Sequence, residues 1–145
     1  MKILVDADAS PVLSIVEELA KKHGLELIIV KNYNHVISSD YGRVVTVDNM
    51  KEAADLYIMN NCLAKDIIVT QDYGLAAMVI GKGSLVINQF GKIIDQDNID
   101  FLLDQRHVKS QVRRQEKIYS KFKKRQDSDN QIFRQNLENL ILSQS

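Results

Sequence analysis

Residues 2–12, Lys2-Ile-Leu-Val-Asp-Ala-Asp-Ala-Ser-Pro-Val12, join an apolar run to two aspartates and a helix start. The apolar run predicts a buried β-strand, and Asp6 and Asp8 follow at its carboxyl end. Ser10 and Pro11 suit a helix start, because serine accepts hydrogen bonds from free helix amides and proline lacks an N–H that would need an intrahelical partner. Ligands of open α/β sheets bind at the carboxyl ends of the strands. The stretch therefore predicts carboxylates at a ligand-binding edge.

Five short apolar runs alternate with helical patterns along the chain. The runs are rich in Val, Ile and Leu and nearly continuous, which is typical of strands buried on both faces. We therefore expect an α/β fold with a three-layer, mainly parallel sheet. An order of 3-2-1-4-5 would make strands one and four neighbours at the switch point. The predicted strands are Lys2–Val5, Glu26–Val30, Val44–Val47, Asp66–Thr70 and Ser84–Asn88, and the predicted helices are Pro11–His23, Met50–Leu63 and Tyr73–Gly81.

The net charge of the chain is zero, but the charge is unevenly distributed. Residues 1–104 hold nine basic and 15 acidic residues, a net charge of −6, whereas residues 105–126 hold nine basic and one acidic, a net charge of +8. We therefore divide the chain into an α/β domain, 1–104, and a basic helical C-terminal extension, 105–145, packed on the domain or on a second copy in a homodimer. A basic segment of this kind indicates polyanion binding. The residues expected to bind RNA or another nucleic acid are Arg106, Lys109, Arg113, Arg114 and Lys117.

Length and composition exclude several classes of protein. A chain of 145 residues, 45% hydrophobic and 26% charged, is ordinary for one soluble domain. Apolar stretches are too short to cross a bilayer, and acids at positions 6 and 8 interrupt a signal-peptide core, so we expect a cytoplasmic protein. The single cysteine, Cys62, excludes an internal disulfide and is expected in the core.

Carboxylates follow three of the predicted strands. Asp6 and Asp8 follow the first strand, Asp48 the third and Asp72 the fourth. Three of these acids also have a structural interpretation: Asp72 can cap the third helix, Asp48 the second, and Asp8 can simply be solvated. For the second helix, Asn49 with Glu52 is a better capping pair than Asp48.

Asp55 is the least expected acid, because it lies inside the second predicted helix. It precedes Ile58 by three residues and Cys62 by seven, which places it on the side that faces the core. Buried carboxylates are rare unless they are paired or bind a metal, and clustered carboxylates repel one another without a cation. Hard cations such as Mg²⁺ and Mn²⁺ take oxygen ligands. The sequence therefore predicts a Mg²⁺ or Mn²⁺ site.

The motif Asp6-Ala-Asp-Ala-Ser-Pro-Val12 resembles the YaiI/YqxD family of uncharacterised bacterial proteins. Glu52-Ala-Ala-Asp55, Asp66-Ile-Ile-Val-Thr-Gln-Asp-Tyr-Gly-Leu-Ala76 and Asn98-Ile99 match it as well, and the resemblance runs from residue 2 to about residue 114. Two departures are Ser10, where the family pattern has cysteine, and residues 120–126, where it has a Gly-Pro-rich stretch.

That family is similar to the PIN-like nuclease superfamily, whose sites hold Mg²⁺ or Mn²⁺ with acids at strand ends and in one helix. The resemblance implies a PIN-like fold with Asp6, Asp55 and Asp72 as metal ligands. Asp48 is a further candidate ligand, and Asp8 or Asp48 would orient water.

Three functions are compatible with these features. A metal-dependent nuclease acting on RNA would use Asp6, Asp8, Asp55 and Asp72 for catalysis and the basic segment for the phosphate backbone. A phosphatase of the haloacid-dehalogenase type would use the Asp-x-Asp pair, but its later motifs fit poorly. A non-catalytic RNA-binding or adaptor protein would use the basic segment alone.

Overall fold

The computed structural model describes residues 1–7, 11–33, 36–48, 52–105 and 125–144. The helices are α1 (Leu13–Lys22), α2 (Ala53–Asn61), α3 (Tyr73–Ile80), α4 (helical residues 99–105) and α5 (Asp127–Ser143). The strands are β1 (Lys2–Asp6), β2 (Glu26–Asn32), β3 (Arg43–Val47), β4 (Ile67–Val69), β5 (Leu85–Ile87) and β6 (Ile93–Ile94). Residues with predicted roles that lie outside the described ranges are Asp8, Ser10, Asn49, Arg106, Lys109, Arg113, Arg114 and Lys117.

The six strands form one sheet in the order β3-β2-β1-β4-β5-β6. β1 pairs in parallel with both β2 and β4, so that Val5 lies between Ile29 and Val69. The predicted mainly parallel α/β sheet and the strand order 3-2-1-4-5 are confirmed. β6 was not predicted and pairs antiparallel with β5. A strand of two residues is too short to show a hydrophobic period.

Helices cover both faces of the sheet, and the side chains of β1 alternate between them. Ile3 and Val5 join the core on the face covered by α1 and α5, while Leu4 joins the core on the face covered by α2, α3 and α4. All three side chains are fully buried. Burial on both faces explains why the strands are continuously apolar. Cys62 is fully buried in the second core, as predicted.

The observed elements start and end within a few residues of the predicted positions, except at the start of the second helix. That helix was predicted from Met50, but α2 begins at Ala53, with Glu52 in the N-cap position. Gly24 follows the end of α1 with φ +66°, as expected for a residue that terminates a helix. Within the described ranges no helix has the length and apolar character needed to cross a bilayer.

The last helix, α5, packs on α1 and contributes to the same core as β1. Phe133, Leu137 and Ile141 are buried in that core. Arg134 contacts Glu18 of α1 at 2.7 Å. The boundary placed after residue 104 adjoins undescribed residues and stays a prediction.

A buried ion pair joins the amino ends of β1 and β4. Lys2 Nζ lies 2.6 Å from Asp66 Oδ2, and the carboxylate also accepts hydrogen bonds from Lys2 N and Leu63 N. Burial alone would raise the pKa of Asp66, but these hydrogen bonds hold it below its ordinary value. Asp66 thus has a structural role, at the opposite end of the strands from Asp6.

Replacing Lys2 by Met is expected to lower the free energy of unfolding at pH 7 by about 2 kcal/mol, because the buried carboxylate loses its charged partner but keeps two backbone donors. The effect should shrink as the pH falls below about 4, since the stabilisation disappears once Asp66 is protonated. Urea unfolding of wild type and variant at pH 7 and below about pH 4 measures the change in the free energy of unfolding. The control is Lys22→Met. Its ion pair with Glu138 is more exposed, so this variant should lower the free energy of unfolding much less than Lys2→Met. Equal effects of the two variants would contradict the prediction.

Candidate active site

Three elements bring carboxylates to the carboxyl edge of the sheet. Asp6 is the last residue of β1, Asp72 directly precedes α3, and Asp55 lies in the first turn of α2. Since β1 and β4 are neighbours in parallel, the chain segments that follow them emerge side by side. The structure therefore brings together the three acids that the sequence singled out.

Asp72 caps α3, as its structural interpretation predicted. Its Oδ1 accepts hydrogen bonds from the backbone N–H of Gly74 at 2.9 Å and of Leu75 at 3.2 Å. These bonds use amides that have no partner within the helix. The cap fixes the orientation of the carboxylate. Capping is therefore compatible with a role in the acidic site, as we name the group Asp6, Asp55 and Asp72.

Thr70 connects the two strand-end acids. Its hydroxyl donates to Asp6 Oδ2 at 3.2 Å and accepts from the backbone N–H of Asp72 at 3.0 Å. Thr70 is only 1% exposed, whereas Asp6 and Asp72 are half-buried. The sequence predicted Thr70 only as the last residue of a strand and gave it no role in the site. A hydroxyl residue two positions before a strand-end acid was the available signal.

The pKa of Asp55 is raised by its surroundings. Burial, the charge and hydrogen bonding of Asp72, and the charges of Asp6 and Glu52 together raise the pKa of Asp55 to about 7. A carboxyl group with this pKa is about half protonated at neutral pH. Burial and the neighbouring acids therefore oppose the ionisation of Asp55.

Asp55 and Asp72 line a cleft of about 420 Å³, which we name the acidic cleft. Glu52 was predicted as a capping residue and as part of a family motif, without a role in the site. It lies three residues before Asp55, and its exposed side chain also lines this cleft. The i to i+3 spacing of the two acids was the signal for it. The lining residues are Glu52, Asp55, Leu56, Asp72, Gly74, Leu75 and Met78.

Asp48 follows β3, which is separated from β1 by β2. It lines a neighbouring cleft of about 610 Å³, which we name the β3–α2 cleft. The role of Asp48 as a metal ligand stays a prediction. The lining residues of this cleft are Thr46, Val47, Asp48, Glu52, Ala53, Leu56 and Tyr57.

The donor chemistry of the acidic site fits Mg²⁺ or Mn²⁺, because both ions prefer carboxylate oxygens. Burial and the charges of neighbouring acids raise the pKa of Asp55, and a bound cation would offset the second of these causes. Among the described residues, no three His, Cys, Asp or Glu side chains already form a group arranged to hold a metal ion. The site is thus a set of suitable donors rather than a closed cage, as is usual for Mg²⁺, which keeps several waters.

Arg125 belongs to the basic segment and lies within the described ranges. Its side chain donates to Asn130 Oδ1 and to the backbone carbonyl of Gln89, each at 2.8 Å, and lies 5.6 Å from the ring centroid of Phe90. Gln89 and Phe90 follow β5, at the carboxyl edge of the sheet. The end of the basic segment is therefore fixed at the edge that also carries Asp6 and Asp72.

Comparison with known proteins places these residues in a family. The model of the uncharacterised YaiI/YqxD family matches residues 4–143. A UPF0178 protein of Clostridium kluyveri is 43% identical over 143 residues, covering 99% of this chain and 94% of the relative. A UPF0178 protein of Clostridium perfringens is 43% identical over 142 residues, covering 97% and 95%.

Among solved structures, the crystal structure of Rae1 (YacP) from Bacillus subtilis is similar with a TM-score of 0.47 and 16% identity, covering 99% of each chain. The family model and the curated relatives each extend over nearly the whole length. The chain therefore belongs to the YaiI/YqxD family.

Proposed function

We propose that this protein is a Mg²⁺- or Mn²⁺-dependent nuclease that cleaves RNA. The observation that carries the proposal is the convergence of Asp6, Asp55 and Asp72, from three separate elements, at the carboxyl edge of a parallel sheet. Ligands of open α/β sheets bind at this edge. A fold alone does not give a function, so the proposal depends on the site.

The charge distribution supports a polyanionic substrate. The acidic site by itself would repel phosphate, whereas residues 105–126 carry a net charge of +8. Lys and Arg bind nucleic-acid backbones through their phosphates, with strong salt dependence. Arg125 holds the end of this segment at the edge that carries the acidic site. The basic segment would therefore supply affinity, and the acids would supply chemistry.

Asp6, Asp55 and Asp72 would hold the metal, which when bound supplies Lewis acidity toward a phosphoryl oxygen and a more acidic water. The protein holds two of these carboxylates in position. Thr70 holds the carboxylate of Asp6 by its hydroxyl, and the amides at the start of α3 hold that of Asp72. Glu52, exposed at the rim of the acidic cleft, is a candidate to accept a proton from the attacking water.

Mn²⁺ binding to the metal-free protein is expected to strengthen as the pH rises from 6 to 8, because the ion requires the ionised form of Asp55. Binding at pH 7 should release about half a proton from this carboxyl group. Calorimetry in buffers of different ionisation enthalpy measures both quantities. In Asp55→Asn we expect weaker binding without this pH dependence.

Asp55→Asn should also raise the free energy of unfolding of the metal-free protein at pH 8. A raised pKa means that folding opposes ionisation, so the cost in stability grows as the pH rises from about 4 to about 7 and is complete at pH 8. The matched control is Asp100→Asn, at an exposed acid of α4. It should change neither the Mn²⁺ affinity nor the free energy of unfolding. Mn²⁺ binding that is equal in wild type and Asp55→Asn would contradict the metal assignment.

A further inference from the structure

The β3–α2 cleft adjoins the acidic cleft along α2. Glu52 and Leu56 line both, so the two clefts share part of their walls. Its volume of about 610 Å³ is in the ordinary range for small-molecule sites. On the proposed function, the acidic cleft takes the scissile phosphate, and the neighbouring cleft lies where an adjacent nucleoside would be.

The walls of the β3–α2 cleft combine apolar and aromatic side chains. Val47, Ala53 and Leu56 provide apolar surface, and Tyr57 provides an aromatic side chain partly packed into the core. Leu56 remains 55% exposed, which leaves apolar surface uncovered beside a polar site. Single-stranded RNA is bound by stacking its bases on aromatic side chains, a contact that duplex RNA does not offer.

The polar groups of this cleft favour some nucleobases over others. Asp48 is exposed at its rim, and Glu52 lies at the boundary with the acidic cleft. Carboxylates accept hydrogen bonds and repel other acceptors. They therefore favour an exocyclic amino group, such as N4 of cytosine, over the carbonyl oxygen that uracil has in its place.

We propose that the β3–α2 cleft binds a nucleobase of single-stranded RNA and prefers bases that carry an exocyclic amino group. Asp48 is then a specificity-determining residue, and Tyr57 and Leu56 form the stacking surface. The role in substrate binding rests on the proposed nuclease function, whereas base binding itself does not. The preference would bias cleavage against sites with uracil at this position.

The test is a titration of the full-length, metal-free protein with cytidine and with uridine, followed by amide chemical shifts. The two nucleosides share the ribose and the ring size. They differ at position 4, an amino group in cytidine and a carbonyl in uridine, and at N3, which carries a hydrogen only in uridine. We expect shifts at residues of the β3–α2 cleft and cytidine binding at least about fivefold tighter than that of uridine. No shifts at millimolar nucleoside, or shifts located elsewhere, would overturn the proposal.

Two variants separate the polar and the stacking contributions. Asp48→Asn should make the affinities for cytidine and uridine nearly equal, while Asp100→Asn should leave their ratio unchanged. Tyr57→Leu keeps apolar bulk for the core and should weaken both nucleosides about tenfold. Unchanged affinities in both cleft variants would overturn the proposal even if nucleosides bind. Amide spectra that match wild type outside the cleft establish that the variants are folded.

Failure of this proposal and failure of the nuclease function are distinguishable, because nucleosides carry no phosphate and the titration contains no metal. Mn²⁺-dependent RNA cleavage without nucleoside binding would overturn only the base cleft. Cytidine binding without Mn²⁺ binding or cleavage would retain the base cleft and overturn the nuclease.

Discussion

Replacing Asp72 by Asn is expected to reduce Mn²⁺-dependent RNA cleavage at least about 100-fold. Even the outer-shell partners of metal ligands typically cost about 10- to 100-fold when replaced, and a direct ligand contributes more. Asn retains one carbonyl oxygen in the position of Asp72 Oδ1 but removes the charge that a hard cation requires. Cleavage of a single-stranded RNA, with and without Mn²⁺, measures the effect.

The fold should survive this substitution, because Asn is as good an N-cap residue as Asp. The amides of Gly74 and Leu75 keep an acceptor, so the free energy of unfolding should change by less than about 0.5 kcal/mol. Asp72→Ala, which also removes the cap, should cost about 1 kcal/mol. The comparison separates loss of the metal ligand from loss of the helix start.

A third measurement reports on the site without relying on activity. The charge of Asp72 and its hydrogen bonding with Asp55 help to raise the pKa of Asp55 to about 7. In Asp72→Asn the pKa of Asp55 should therefore fall, which carboxyl-carbon NMR detects. Cleavage that persists in this variant would refute the assignment of Asp72. A pKa of Asp55 that does not move would refute the electrostatic coupling.

Strand-end acids were predictable because parallel strands bring their carboxyl ends to one edge. Asp6 and Asp72 follow strands that are neighbours, and the assumed strand order placed them together. Asp55 was predicted from the helical period instead. Its spacing of three residues from Ile58 and seven from Cys62 places it on the inner side of α2. Both of those partners are fully buried, which confirms the assigned side.

The parts that the sequence left open have physical reasons. Asp48 also follows a strand, but whether it reaches the other acids depends on the position of β3 in the sheet, and β2 separates β3 from β1. Glu52 and Thr70 are polar residues of ordinary type, and their proximity to the acids becomes visible only in three dimensions. Composition located the basic segment and its charge, but charge is not periodic and does not predict which side chain binds which phosphate.

Arg125 illustrates that difference between charge and contact. By composition it is one of nine basic residues in residues 105–126 and a candidate to bind phosphate. Its observed partners are instead Asn130, the carbonyl of Gln89 and the ring of Phe90. It therefore anchors the end of the basic segment to the domain. A guanidinium suits this position because it donates in a fixed plane to two acceptors.

Replacing Phe133 by Ala is expected to lower the free energy of unfolding by about 3–5 kcal/mol. Phe133 is the largest fully buried side chain described, and it lies in the core that β1 and α1 share with α5. The turn after β5 packs closely on the same part of α5: a Cβ added at Gly91 would lie 3.1 Å from Phe133 Cα. The turn and α5 already contact each other through their backbones. Neither can therefore move inward to fill the cavity that the Phe133→Ala substitution leaves.

The neighbouring residue provides the control. Ile132 is 49% exposed on the same helix, and Ile132→Ala should cost less than about 1 kcal/mol. Both variants should unfold in a single transition, because α5 completes a core that the sheet cannot bury alone. Urea unfolding followed by far-ultraviolet circular dichroism measures the stability and the number of transitions. A separate, early transition of α5 in Phe133→Ala would show that the helix is an independent extension, whereas a single weakened transition means that the sheet and the C-terminal helix fold as one unit.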